Sequence, residues 1–231
     1  MGELPSRTFC FGAPGLDLIK KSDFISRQQL AARFGLDFSS NVALVTYHAA
    51  TLDPASSKSQ VRELLDACEK LGIVTLFTKA NADAGGILIN KEIATYCRKH
   101  KDKALLVDNL GGYLYWSVMA SCDVMIGNSS SALIEAPSFG TPAVNIGIRQ
   151  QRRVRAKNII DVPCQREAII KGVQRALSPE FRKTLKTIKN PYASNEEGQV
   201  GEKIKQCLKN LRLENVLIKP FVDLSFKEGE K

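Results

Sequence analysis

Six short apolar runs, most of them separated by an amphipathic segment of helix length, constrain this chain more than anything else in it. The runs cover residues 43–46, 73–77, 104–107, 124–126, 143–146 and 159–162, with helical periodicity at 59–71, 86–99, 113–120 and 130–138. Apolar runs this short, with no polar alternation, suit strands buried on both faces, as in parallel sheets. Parallel neighbours require a crossover, and strand–helix–strand units of this spacing cross over right-handedly. The spacing predicts a doubly wound α/β domain with six mostly parallel strands. After Pro163 the pattern becomes helical at 165–177, 179–188 and 201–211.

The ends of the chain read differently. Residues 7–11 resemble a lone strand, followed by Gly12-Ala-Pro-Gly-Leu-Asp17 and two helical stretches before the sheet begins near Asn41. Residues 213–231 have no clear period and read as a docking strand or arm with a frayed end. The expected division is therefore 1–40 as a lead-in, 41–212 as the sheet domain and 213–231 as a tail.

Within this frame the segment from Asp123 to Arg149 carries the chemistry. Val124 to Ile126 form a strand, Gly127 and Asn128 break it, and Ser129, Ser130 and Ser131 stand where the next helix begins. The first turn of a helix has unpaired N–H groups and the positive end of the macrodipole, so hydroxyls gathered there suit a phosphate or diphosphate. Gly140 and Pro142 end that helix, a strand follows, and Arg149 falls at its carboxyl end. In open α/β sheets this is the edge that binds ligands. Serines also cap helices where nothing binds. His48 follows the first run at the same edge, between Thr46 and Thr51, poised to meet an anion or held structurally. Glu135 lies one to two turns into the helix; phosphate would repel it, so a sugar or ribose is its better target. Arg149 suits a planar or anionic acceptor, while Arg153 and Arg155 either line the same mouth or are solvated. Gly85 and Gly86 permit close backbone approach after Asn81 and Asp83. His100, among basic residues, reads as exposed and idle.

Composition excludes several other classes. The net charge of +9 comes from lysines and arginines spread along helices, without aromatic–basic motifs, so nucleic-acid binding is not expected. No apolar run is long enough to span a bilayer and no signal peptide is evident, so no membrane partner is expected. The six cysteines are scattered, with no Cys-x-x-Cys and only two histidines, which argues against a metal site and for reduced thiols in a cytoplasmic setting. There is no Walker loop, no Gly-x-Ser-x-Gly elbow and no His-Glu-x-x-His, and no cofactor is expected.

Gly-Asn-Ser-Ser-Ser, Glu-Ala-Pro-Ser-Phe-Gly-Thr-Pro and Asn-Ile-Gly-Ile-Arg-Gln resemble the carboxyl-terminal half of UDP-N-acetylglucosamine 2-epimerases, in the hydrolysing branch that serves sialic acid-type sugars. The likeness extends to Thr46-Tyr-His-Ala-Ala-Thr51, Asn81-Ala-Asp-Ala-Gly-Gly86 and residues 153–162, and covers roughly residues 8–212. It implies a Rossmann-like second domain of a GT-B arrangement, with the amino-terminal domain absent and a sugar nucleotide in the cleft between the two.

The same resemblance implies roles for single residues. His48 would lie at the nucleotide phosphates and sugar, as imidazolium or proton donor to departing UDP; Ala49 replaces the proline usual after it. Asn81 would contact the nucleotide, with Asp83 facing the cleft. Ser129, Ser130 and Ser131 would hold phosphate, Glu135 the ribose hydroxyls, and Arg149 the base or phosphate. In the family UDP is eliminated across C1–C2 and water adds to the glycal, giving N-acetylmannosamine and UDP. The carboxylates for that chemistry belong to the amino-terminal domain, so this chain alone should turn over little substrate. Asn190-Pro-Tyr-Ala-Ser-Asn-Glu-Glu-Gly198 is longer and more acidic than the family turn there. The expected partners are a UDP-sugar, an amino-terminal Rossmann-like domain and, potentially, a second copy. A non-catalytic nucleotide-sugar binding module and half of a GT-B glycosyltransferase remain as alternatives.

Overall fold

The structure, a computed structural model, describes residues 3–20, 22–49, 57–83, 85–194, 199–211 and 221–223. Most of the 213–231 tail, Thr51 and the 195–198 part of the acidic loop lie outside the described residues. The chain divides into two compact units, residues 21–191 and residues 1–20 with 192–231.

The larger unit is built on β1 (Val42–Thr46), β2 (Val74–Thr78), β3 (Ala104–Val107), β4 (Val124–Gly127), β5 (Ala143–Ile146) and β6 (Ile159–Val162). All five pairings are parallel, in the order β3-β2-β1-β4-β5-β6. Each strand lies within one residue of an apolar run, because buried parallel strands show their burial directly in sequence. Between β1 and β4 the winding reverses, so the loops leaving these two strands diverge and open a crevice at their carboxyl ends.

Helices α3 (Ser57–Leu71), α4 (Gly86–Lys99) and α7 (Arg166–Leu177) pack side by side over one face. Their Leu64, Ile89, Ile93, Ile169 and Val173 bury with Ala43, Val45, Phe77, Val124, Ile126, Val144 and Ile146 of the strands. The alternate strand residues, Leu44, Leu76 and Met125, are equally buried and point to the opposite face, as the pleat requires. On that face α5 (Gly111–Ser121) reaches Thr46 of β1 through Tyr115, and it packs against α2 (Arg27–Phe34) and the segment after β4. Helix α8 (Pro179–Leu185) follows α7 and has Ser178 as its N-cap. Asp123, just before β4, accepts from the Val42 N–H and pairs with Arg27 at 2.8 Å and Arg182 at 3.1 Å, tying the amino ends of β1 and β4 to two helices.

Two expectations need correction here. The helix expected over 130–138 is a single turn, α6 (Ser131–Ile134), followed by a 3-10 turn at Ala136–Phe139. Pro137 cannot donate to the Leu133 carbonyl and its ring crowds that position, so the α-helical ladder stops. In the smaller unit, residues 7–11 form no strand. A 3-10 turn at Pro5–Arg7 leads into extended backbone that has no ladder partner among the described residues, and a lone strand cannot satisfy its own N–H and C=O groups. The rest of this unit holds α1 (Leu16–Ile19) and α9 (Val200–Asn210), where the Asp17 carboxylate accepts from the Val200 and Gly201 N–H groups.

No helix among the described residues is long and apolar enough to cross a membrane.

Candidate functional site

The loops after β1, β2, β4 and β5 all leave the same sheet edge, and Asn128 joins three of them. Asn128 is buried, at 2 % exposure. Its Oδ1 accepts from the His48 N–H and its Nδ2 donates to the His48 carbonyl, each at 2.8 Å. Its own N–H donates to the Thr46 carbonyl, while its carbonyl accepts from Arg149 Nη1 at 3.1 Å and Gln150 Nε2 at 2.8 Å. Every polar group of this residue is spent on holding the crevice in shape. Gly127 makes the approach possible. At φ +137 a Cβ there would sit 2.0 Å from the Thr46 carbonyl oxygen.

His48 takes a second support from β2. The Asn81 N–H donates into Nδ1 at 3.1 Å, which leaves the ring proton on Nε2. Burial first, and the neighbouring Arg149 second, lower the imidazole pKa, while Asn81 and Asp83 oppose the shift in part. The lowered pKa favours the neutral ring, with Nε2–H as its donor. Asn81 serves through its backbone, and its side chain is turned to Asp83 Oδ2 at 2.6 Å.

The serine turn is built differently from a helix cap. Ser130 stands at the N-cap position of α6, but its side chain makes no capping bond. Ser129 Oγ accepts from the Ser131 N–H at 3.4 Å and lies 2.9 Å from Ser131 Oγ. One helical turn has a small macrodipole, so anion attraction here rests on discrete donors. These are the serine hydroxyls, the Ser129 and Ser130 N–H groups that have no partner among the described residues, and Arg149.

Tyr115 on α5 reaches the same turn, with its hydroxyl 2.7 Å from Ser131 Oγ. It also lies 3.5 Å from Thr46 Oγ1, which is 2.7 Å from Thr78 Oγ1. Burial raises the phenol's pKa and keeps it neutral. Tyr115 and Asn128 were not singled out from sequence. In a helical stretch an aromatic reads as core, and an asparagine after a strand reads as a turn. Glu135 is half-buried beside α5. Burial raises its carboxyl pKa, and the Trp116 indole works against that shift.

The structure therefore brings His48, the Asn81 backbone, Ser129, Ser130, Ser131 and Arg149 to one edge around Asn128, with Glu135 at the end of the α6 turn. Arg155 is committed elsewhere, paired with Asp161 and donating to the Gln150 carbonyl, and Arg153 is exposed. His100 is half-buried rather than exposed, packed 4.4 Å from the Tyr96 ring. Beside Arg149 a cavity of about 260 Å³ opens between Tyr47, Gln60, Asn128, Ile148 and Cys164. Its polar wall is the Tyr47 hydroxyl, which donates to Gln60 Oε1 at 2.9 Å.

Residues 1–209 match the family model described as UDP-N-acetylglucosamine 2-epimerase. The chain is 39% identical over 225 residues to the GDP/UDP-N,N'-diacetylbacillosamine 2-epimerase (hydrolyzing) of Campylobacter jejuni, a match covering 97% of this chain and 58% of that protein. It is 33% identical over 219 residues to the UDP-N,N'-diacetylbacillosamine 2-epimerase (hydrolyzing) of Legionella pneumophila, covering 94% of this chain and 55% of that protein. The chain thus spans little more than half the length of these relatives. Among solved structures, the S. aureus MnaA–UDP co-structure superposes with a TM-score of 0.67 at 15% identity, over 97% of this chain and 58% of that one. At that identity the likeness speaks for the fold alone.

Proposed function

The chain belongs to the UDP-N-acetylglucosamine 2-epimerase family, and on that premise we propose that it forms the nucleotide-binding half of a hydrolysing UDP-sugar 2-epimerase. The observation that supports this most is the assembly of His48, the serine turn and Arg149 around Asn128 at the β1–β4 switch point. That crevice offers an anion several donors already in place, which is what a diphosphate leaving group requires.

In this reading the serine hydroxyls and Arg149 hold the diphosphate of UDP, and Glu135 accepts from the ribose hydroxyls. His48 donates Nε2–H to the phosphate oxygen that takes up charge as the C1–O bond breaks. The C2 proton leaves to a base as UDP departs, and water adds to the unsaturated sugar to restore a C2 hydrogen. The base comes from the part of the relatives' length that this chain does not span, in an amino-terminal Rossmann-like domain paired with residues 41–212. The names of the two relatives direct the sugar choice to N,N'-diacetylbacillosamine ahead of N-acetylglucosamine.

Titration calorimetry with UDP tests the nucleotide site. The wild type binds, and the Ser130→Ala, Arg149→Ala double variant binds at least about tenfold more weakly. Equal binding by both, or none by either, overturns the site. Rapid release of UDP from a UDP-sugar by this chain alone would instead overturn the placing of the base outside it.

A further inference from the structure

The hydroxyls near the crevice form one continuous chain: Thr78, Thr46, Tyr115, Ser131 and Ser129, at successive separations of 2.7, 3.5, 2.7 and 2.9 Å. It crosses from the end of β2 through β1 and α5 to the turn after β4. We propose that Tyr115 is a positioning residue for this turn, its phenol proton aligning the Ser131 and Ser129 hydroxyls so that Ser129 presents a donor to the diphosphate. The proposal rests on the nucleotide site described above.

The direction of the chain follows from proton counting. Each hydroxyl has one proton to give. A phenol is a better donor and a poorer acceptor than an aliphatic alcohol, since it is far more acidic. The Tyr115 proton therefore belongs to the shorter contact, 2.7 Å to Ser131, rather than to the 3.5 Å contact with Thr46. With Ser131 accepting from Tyr115, its own proton is free for Ser129, 2.9 Å away. Ser129 also accepts from the Ser131 N–H. Both acceptor positions of Ser129 are then occupied from within the turn, and its proton is directed outward. A bound anion meets an oriented donor and does not have to reorient it, which is how preorganised polar sites gain their strength. A phenylalanine at position 115 would keep the ring and leave the two serine protons free to point either way.

A double-variant cycle on the full chain, read by calorimetry with UDP, tests this. Tyr115→Phe should weaken UDP about fivefold, the equivalent of one net hydrogen bond, and Ser129→Ala by at least as much. The double variant should be no weaker than Ser129→Ala alone, because Tyr115 acts only through the serines. A Tyr115 hydroxyl that acted independently of Ser129 would give additive losses instead, and a packing role would leave UDP binding by Tyr115→Phe unchanged; either result overturns the proposal. Ser131→Ala cuts the chain at its middle without touching the aromatic ring and should also weaken UDP; full affinity in that variant overturns the proposal as well. Failure of the wild type to bind UDP removes the nucleotide site itself, and the proposal with it. Binding by the wild type with no Tyr115 effect removes only the proposal.

Discussion

The side-chain amide of Asn128 and the main chain of His48 exchange two hydrogen bonds, one in each direction and both 2.8 Å long. The residues are 80 positions apart. Their pairing closes the gap at the sheet edge where β1 and β4 part, so the loop carrying His48 and the loop carrying the serines behave as one body.

Asn128→Ala removes both bonds and leaves the part-buried N–H and C=O of His48 unpaired. A loss of about 2–4 kcal/mol is expected in urea unfolding, since each unsatisfied buried group carries its desolvation cost. A variant as stable as the wild type would show that the two loops hold without it.

Gly127→Ala attacks the same junction through the backbone. The added methyl would overlap the Thr46 carbonyl at 2.0 Å and would also force an L residue to φ +137. Strain and overpacking together predict a loss of at least about 3 kcal/mol. The loss should be visible as a lowered denaturation midpoint or as insoluble expression. Normal stability here would mean that β1 and β4 can separate without penalty.

Glu135→Gln tests the ribose assignment. If the carboxylate accepts from the ribose hydroxyls, UDP should weaken by about tenfold, as for a charge-assisted hydrogen bond. A dideoxyribose analogue of UDP should bind wild type and variant alike. Equal weakening for both ligands would place Glu135 away from the ribose.

Stability should also depend on pH through His48. Its folded pKa lies below the ordinary 6.5, so on acidification the unfolded chain takes up a proton there before the folded chain does. The contribution of His48 is whole above about pH 6.5 and is lost as the pH falls through the folded value. Relative to His48→Asn, the wild type should lose stability between about pH 7 and 5. A difference that stays constant over that interval would mean the histidine is not shifted.

Much of this was legible in the sequence, for a physical reason. A strand buried on both faces must be apolar throughout, and an amphipathic helix must repeat every three to four residues. Local composition therefore announces both elements, and all six strands lie within one residue of their apolar runs. Parallel crossovers then send every loop that follows a strand to one edge. That alone gathers His48, Asn81, Ser129 and Arg149 without any knowledge of the strand order.

Only the tertiary structure decided which atoms meet. Asn128 is one asparagine in a turn until the β1–β4 pairing brings His48 beside it. Tyr115 is one aromatic in a helix until α5 packs over the face to which Thr46 and Ser131 point. Asn81 is one polar residue in a glycine-containing loop until the β2 loop brings its N–H to His48 Nδ1. The helix expected from Ser130 onward stops after Ile134 because Pro137 removes the donor its second turn needs. Periodicity records how deeply each residue is buried. A hydrogen-bond partner 80 positions away is set by strand order and register, which no local stretch of the chain contains.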